Sequence, residues 1–172
     1  MALDIFRNIV SFFILIFVQV LVLNNIQFSG YINPYLYVLF ILMLPFNTPN
    51  WLVLFLSFLL GIFVDAFSNS FGMHTAAATF IGFCRPYILQ VMRPRDGYDN
   101  NDKPTIRDMG MNWYLTYSGI LVALHHFVYF YIEVFRFNEI FAIFSRIFLS
   151  SVFTMLLLVL TQYLFVAEKK KN

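Results

Sequence analysis

Apolar positions along this chain come in unbroken runs. WLVLFLSFLLGIFV over 51–64 and FLSSVFTMLLLVLTQYLFV over 148–166 are apolar on nearly every side. A helix with a solvated face carries only an apolar stripe, so such runs fit helices surrounded by lipid or by other helices. A transmembrane barrel needs segments of about ten residues that alternate apolar and polar, and the runs do not alternate. The pattern predicts six helices, over 5–23, 31–44, 51–67, 73–92, 113–134 and 140–166. Polar or proline-containing breaks separate them: NNIQFSGYINP, PFNTPN, SNSFG, the long segment 93–108, and RFNE. The second helix is the shortest. Fourteen residues rise about 21 Å, against an apolar bilayer core of about 30 Å, so it is expected to be tilted or shielded by its neighbours.

Composition sharpens this picture. The chain of 172 residues is 60% hydrophobic and 12% charged, with 23 Phe and 10 Tyr. From position 8 to position 84, which is 77 residues, the one charged side chain is Asp65. An ordinary soluble domain is about a quarter charged. We therefore expect one domain, 1–172, an all-α polytopic membrane protein folded as a compact six-helix transmembrane bundle. The first run, MALDIFRNIVSFFILIFVQVLVL, lacks a small-x-small cleavage site and reads as a retained first helix rather than a cleaved leader.

Lys and Arg set the expected orientation. Arg93, Arg95, Lys103 and Arg107 lie in 93–108, with Arg85 nearby, and three lysines close the chain. Both segments are expected to be cytoplasmic, as is the amino terminus with Arg7. This requires an even number of spans before the loop, so the short second helix is counted. Both termini then lie inside. The loop itself holds four Lys/Arg and four Asp. Its zero sum gives no nucleic-acid patch and describes a solvated cytoplasmic loop or a docking site, with Tyr98 as its candidate anchor among Asp96, Asp99 and Asp102. The lysine tail is suited to membrane lipids.

Asp65 is the residue most in need of a partner. Near the end of the third helix it is expected to fix the following turn by bonding Ser68, Ser70, Thr75 or free backbone N–H groups of the fourth helix. A pairing with Arg146, an inter-subunit contact and a proton or cation relay are the alternatives. Gly61, Gly72, Ala76, Ala78 and Gly82 give small residues at the spacing that lets helices approach closely, within the bundle or against a partner. His74, His125 and His126 lack the spacing and companion ligands of a metal site and read as interhelical hydrogen-bonding groups. Cys84 reads as a small hydrophobe. No nucleophile, base or paired carboxylate forms a recognisable catalytic motif, so neither an enzyme nor a cofactor is expected.

Gly61-Ile-Phe-Val-Asp65, the short loop, and Phe71-Gly72-Met-His-Thr-Ala76 resemble the glycine–aspartate–glycine signature of the rod shape-determining MreD family. Chain length, the apolar profile, the Leu44-Pro45 step and the basic tail are similar too, and the Phe and Tyr content resembles a Bacteroidota-type member. The resemblance implies a non-enzymatic scaffold of the bacterial inner membrane, within the cell-elongation machinery that makes peptidoglycan. It implies direct binding to MreC and, through that complex, links to MreB, RodA and a class B penicillin-binding protein. It also implies a fold similar to the substrate-binding subunits of ECF vitamin transporters. By the match, Asp65 and Gly72 are the carried-over positions. The alternative function is such a substrate-binding subunit itself, with Asn24, Asn25, Gln27, Asn69, His74 and Arg146 as polar groups for a ligand.

Overall fold

The computed structural model describes the backbone of residues 2–25, 32–99, 102–134 and 140–165, and the side chains of 6–25, 32–99, 102–134 and 143–164. The expected turn at 136–139, the lysine tail and Gln27 lie outside the described residues. Among them the structure is helical, with no strand. In chain order, α1 is Ala2–Phe17, continued by a π-helical turn at Val18–Val22 and a 3-10 turn at Leu23–Asn25. Then follow α2 Val38–Met43, α3 Asn50–Ser68, α4 Met73–Val91, α5 Ile106–Met109, α6 Met111–Val134 and α7 Ile140–Phe165. α3 packs on α4, α4 on α6, α6 on α7 and α1 on α3, while α2 sits against α1, α3 and α4.

Four helical stretches are long and apolar enough to cross a membrane: Phe6–Asn25, Asn50–Ser68, Met111–Val134 and Ile143–Leu164. α4 has the length, 19 residues, but His74, Arg85 and Gln90 lower its hydropathy. Polarity is distributed as lipid requires. Phe13, Phe17, Phe55, Phe58, Phe67, Phe127, Phe144 and Phe148 are exposed on the outside, whereas Gln19, Ser57, His74, Arg85, Ser118, His125, His126, Ser150 and Thr154 are buried. The chain is a polytopic helical membrane protein.

The expected second helix is helical over only six residues, Val38–Met43. Their rise of about 9 Å falls far short of a bilayer core. Residues 33–37 lead in as non-helical backbone, and the cause is local. Pro34 has no N–H to give a helix. The neighbouring N–H groups are taken by side chains: Asn33 donates to Ser150 Oγ at 3.1 Å, Tyr35 to Thr154 Oγ1 at 3.0 Å, and Tyr37 to Gln19 Oε1 at 3.4 Å. Irregular backbone is tolerated at membrane depth only where protein satisfies it in this way.

Helix ends elsewhere follow local chemistry. Pro49 precedes α3, and its carbonyl accepts from Leu52 and Val53 at 2.9 and 3.0 Å. Thr105 caps α5 by accepting from the Asp108 N–H at 3.1 Å. Gly110, at φ 86°, turns the chain from α5 into α6.

Candidate functional site

Asp65 sits one turn before the end of α3 and reaches across to the start of α4. Its Oδ1 accepts from Ser70 Oγ at 2.6 Å and the His74 N–H at 3.1 Å. Its Oδ2 accepts from the Thr75 N–H at 2.8 Å and Thr75 Oγ1 at 2.5 Å. The carboxylate thus ends α3 and caps α4 together, where helix N–H groups lack intrahelical acceptors and negative charge is favoured. Ser68, another expected partner, instead accepts from Asn24 Nδ2 at 2.7 Å and fastens α3 to the end of the first span. The alternative pairing with Arg146 is not formed. Arg146 Nη2 lies 3.0 Å from Glu133 Oε2, and its guanidinium stacks 4.7 Å from the Phe130 ring centroid.

The turn that Asp65 closes is left-handed at Asn69 (φ 51°), Phe71 (φ 47°) and Gly72 (φ 89°). Such angles cost a residue with a Cβ about 1–2 kcal/mol, so the four carboxylate bonds hold a turn that the chain would otherwise leave. Gly72 is required for its φ and not for room, since a Cβ there would meet nothing within 4 Å. Gly61 and Gly82 are required for room. A Cβ on Gly61 would run into Thr75, 2.8 Å from its N and 2.9 Å from the His74 carbonyl. One on Gly82 would fall 2.7 Å from the Ser57 Cβ. Both glycines therefore set the α3–α4 contact inside the chain, and Ala78 is buried beside them. Ala76, one turn into α4, is half-buried, and its N–H donates to the Gly72 carbonyl at 2.9 Å.

Beneath this turn lies a buried polar cluster. The Tyr37 hydroxyl meets His74 Nδ1 at 3.0 Å and His125 Nε2 at 2.5 Å. One hydroxyl proton cannot serve both, so one imidazole is the donor. His125 Nδ1 has no partner. A bare lone pair is less costly there than a buried unbonded N–H, which favours His125 donating from Nε2 and Tyr37 donating to His74. His126 donates from Nδ1 to the Val122 carbonyl at 2.8 Å, and its Nε2 accepts from Thr154 Oγ1 at 3.2 Å. Gln19 donates to Asn24 Oδ1 at 2.8 Å and to the Pro34 carbonyl at 3.0 Å. Tyr35 packs against His74, His126 and Tyr129, with ring centroids 4.7–5.1 Å away. His74 of α4 and the adjacent pair His125 and His126 of α6 thus meet around the irregular segment before α2.

A second polar centre occupies the other end of the bundle. Arg85 is not part of the surface loop region with which its charge groups it in the sequence; it is 1% exposed. Its Nε donates to Tyr117 Oη at 2.8 Å and its Nη2 to the Leu44 carbonyl, while Tyr117 Oη donates to the Leu42 carbonyl at 3.2 Å. Arg85 and Tyr117 therefore take up carbonyls at the end of α2 that have no helical partner. The sequence clue is that the apolar pattern of α4 runs on past Arg85 to Val91. Tyr98 turns inward rather than outward: it stacks on Phe46 at 4.1 Å and donates to the Leu89 carbonyl at 2.8 Å. Trp113 closes the same aromatic group, 6.0 Å from Tyr98 and 4.8 Å from Tyr117 between centroids.

No family model, no curated protein and no solved structure matches the chain.

Proposed function

We propose that this chain is a non-enzymatic membrane scaffold of the kind the MreD resemblance implies: an inner-membrane component of the cell-elongation machinery, both termini cytoplasmic, that binds MreC and through it joins MreB to RodA and a class B penicillin-binding protein. One observation carries the reading. Both oxygens of Asp65 are saturated by donors of the same chain, so the motif acid fastens a turn instead of awaiting a substrate or proton. A turn fixed so firmly presents Phe71, 98% exposed, in one defined position at a helix-pair end, as a docking scaffold requires. The test is co-purification from native membranes combined with depletion in a rod-shaped host. Capture of a single-span coiled-coil partner and loss of rod shape are the expected results. Unchanged shape and growth would sink the proposal.

The segment at 33–37 favours a second reading, the membrane substrate-binding subunit of an ECF-type transporter. Broken helices inside membrane bundles are where transporters place their ligands. Against it, Asn24, His74 and Arg146 already bond within the chain. Co-purification of a vitamin or an ATPase module would decide for transport.

A further inference from the structure

At the end of the bundle that carries the loop 93–108 lies a cleft of about 510 Å³, within the range of small-ligand sites. The turn before α3, the last two turns of α4 and the segment around Tyr98 form its walls. Arg85, Arg93, Asn50, Gln90, Asp99 and Asp102 supply its polar lining. Arg85 is the decisive group. Its two bonded acceptors, the Tyr117 hydroxyl and the Leu44 carbonyl, are neutral. No carboxylate among the described residues forms an ion pair with Arg85 or with Arg93. A buried, uncompensated cation is costly, and this one borders a polar cavity.

Two cations and two acids line the same cleft, so its formal charge sums to zero. A plain anion would satisfy Arg85 and Arg93 and be repelled by Asp99 and Asp102. A ligand bearing both signs suits all four. The surroundings identify the source. Trp51 next to Asn50, Tyr87 on the cleft wall, and Val91 are 68%, 57% and 87% exposed, an apolar and aromatic rim of the type that lies at a membrane interface. Arg85 lies six residues (91 − 85) before the end of α4, about 9 Å below it, within reach of a lipid headgroup.

We propose that this cleft binds the headgroup of an aminophospholipid, with the phosphate on Arg85 and Arg93 and the primary ammonium on Asp99 and Asp102. Guanidinium groups hold phosphate through paired N–H donors. The proposal is independent of the scaffold reading, because it needs neither MreC nor a place in cell-wall synthesis.

Trp51 and Trp113, the two tryptophans of the chain, flank the cleft and report on it. The full chain is placed in phosphatidylcholine nanodiscs to which phosphatidylethanolamine, phosphatidylglycerol or phosphatidylcholine with brominated acyl chains is added, and tryptophan quenching is read against the fraction of brominated lipid. Wild type is expected to prefer phosphatidylethanolamine over either other lipid by about fivefold, the scale of two half-exposed ion pairs. Arg93→Gln should lower occupancy by both phospholipids. Asp99→Asn with Asp102→Asn should turn the preference toward phosphatidylglycerol. Arg85 is left in place because it also holds α2. The thermal exposure of Cys84 verifies that each variant is folded. Equal quenching by the three lipids, a wild-type preference for phosphatidylglycerol, a preference unmoved by the double aspartate variant, or displacement by inorganic phosphate alone would each overturn the proposal.

Discussion

Replacing Asp65 by alanine removes four acceptor contacts at once and leaves the N–H groups of His74 and Thr75 without partners at the start of α4. A hydrogen bond to a charged group contributes about 1.5–3 kcal/mol when buried, and an N-cap about 1 kcal/mol. Asp65 is half-buried, so water replaces part of each lost bond, and a total of about 2–4 kcal/mol is expected. Asparagine keeps one acceptor oxygen but turns an NH2 group toward one of the two N–H donors, which cannot rotate away as the Ser70 and Thr75 hydroxyls can. Its cost is about 1–2 kcal/mol. For a chain of this length, the alanine variant should melt roughly 5–12 °C lower. Cys84, the single cysteine, lies half-buried on α4. Its reaction with a thiol-dependent fluorophore during heating in detergent therefore reads the unfolding of the helix that Asp65 caps. An unchanged or raised melting temperature in Asp65→Ala would refute the reasoning, because it would mean the acid is a buried liability, as a relay group would be.

Three further outcomes follow from the same geometry. Gly82→Ala should destabilise by about 1–3 kcal/mol, because the new Cβ overlaps Ser57, and Ser57→Gly in the same chain should recover most of it; a thermal double-mutant cycle checks the coupling. Gly72→Ala should cost about 1 kcal/mol through its positive φ alone, with no change in helix packing, seen as a lowered melting temperature without altered crosslinking between α3 and α4. At Asp108, outside the spans, burial opposes ionisation. Hydrogen bonds from Arg107 Nε at 3.1 Å and the Lys103 N–H at 3.2 Å outweigh it and hold the carboxyl below the ordinary aspartate value. The stabilisation is therefore fully present above pH about 4 and lost as pH falls through the lowered value. Asp108→Asn should flatten that part of the stability–pH curve, measured by thermal melting followed by circular dichroism.

What was legible in the sequence is what local chemistry dictates. Runs such as 51–64 and 148–166 have no solvated face, so they become membrane helices whatever surrounds them. The turn after α3 was legible as well, since its donors lie within ten residues of Asp65 and a helix start always offers free N–H groups. Residues 35–37 look apolar and helix-like beside Val38–Met43, yet Thr154 and Gln19, separated from them by as many as 119 positions, take the N–H groups of Tyr35 and Tyr37 instead. The same limit applies to Arg146, which finds Glu133 and not Asp65, and to Arg85, whose charge groups it with the loop 93–108 while its acceptors are the Tyr117 hydroxyl and the Leu44 carbonyl. Tyr98 reads as an outward anchor until Phe46 and Trp113 are placed around it. The sequence by itself determined the solvent of this protein, its helices and the fastening of one turn, because those depend on neighbours a few residues away. Only the tertiary structure decided which polar groups meet inside, because a buried donor or charge is satisfied by whatever the fold brings within about 3 Å of it.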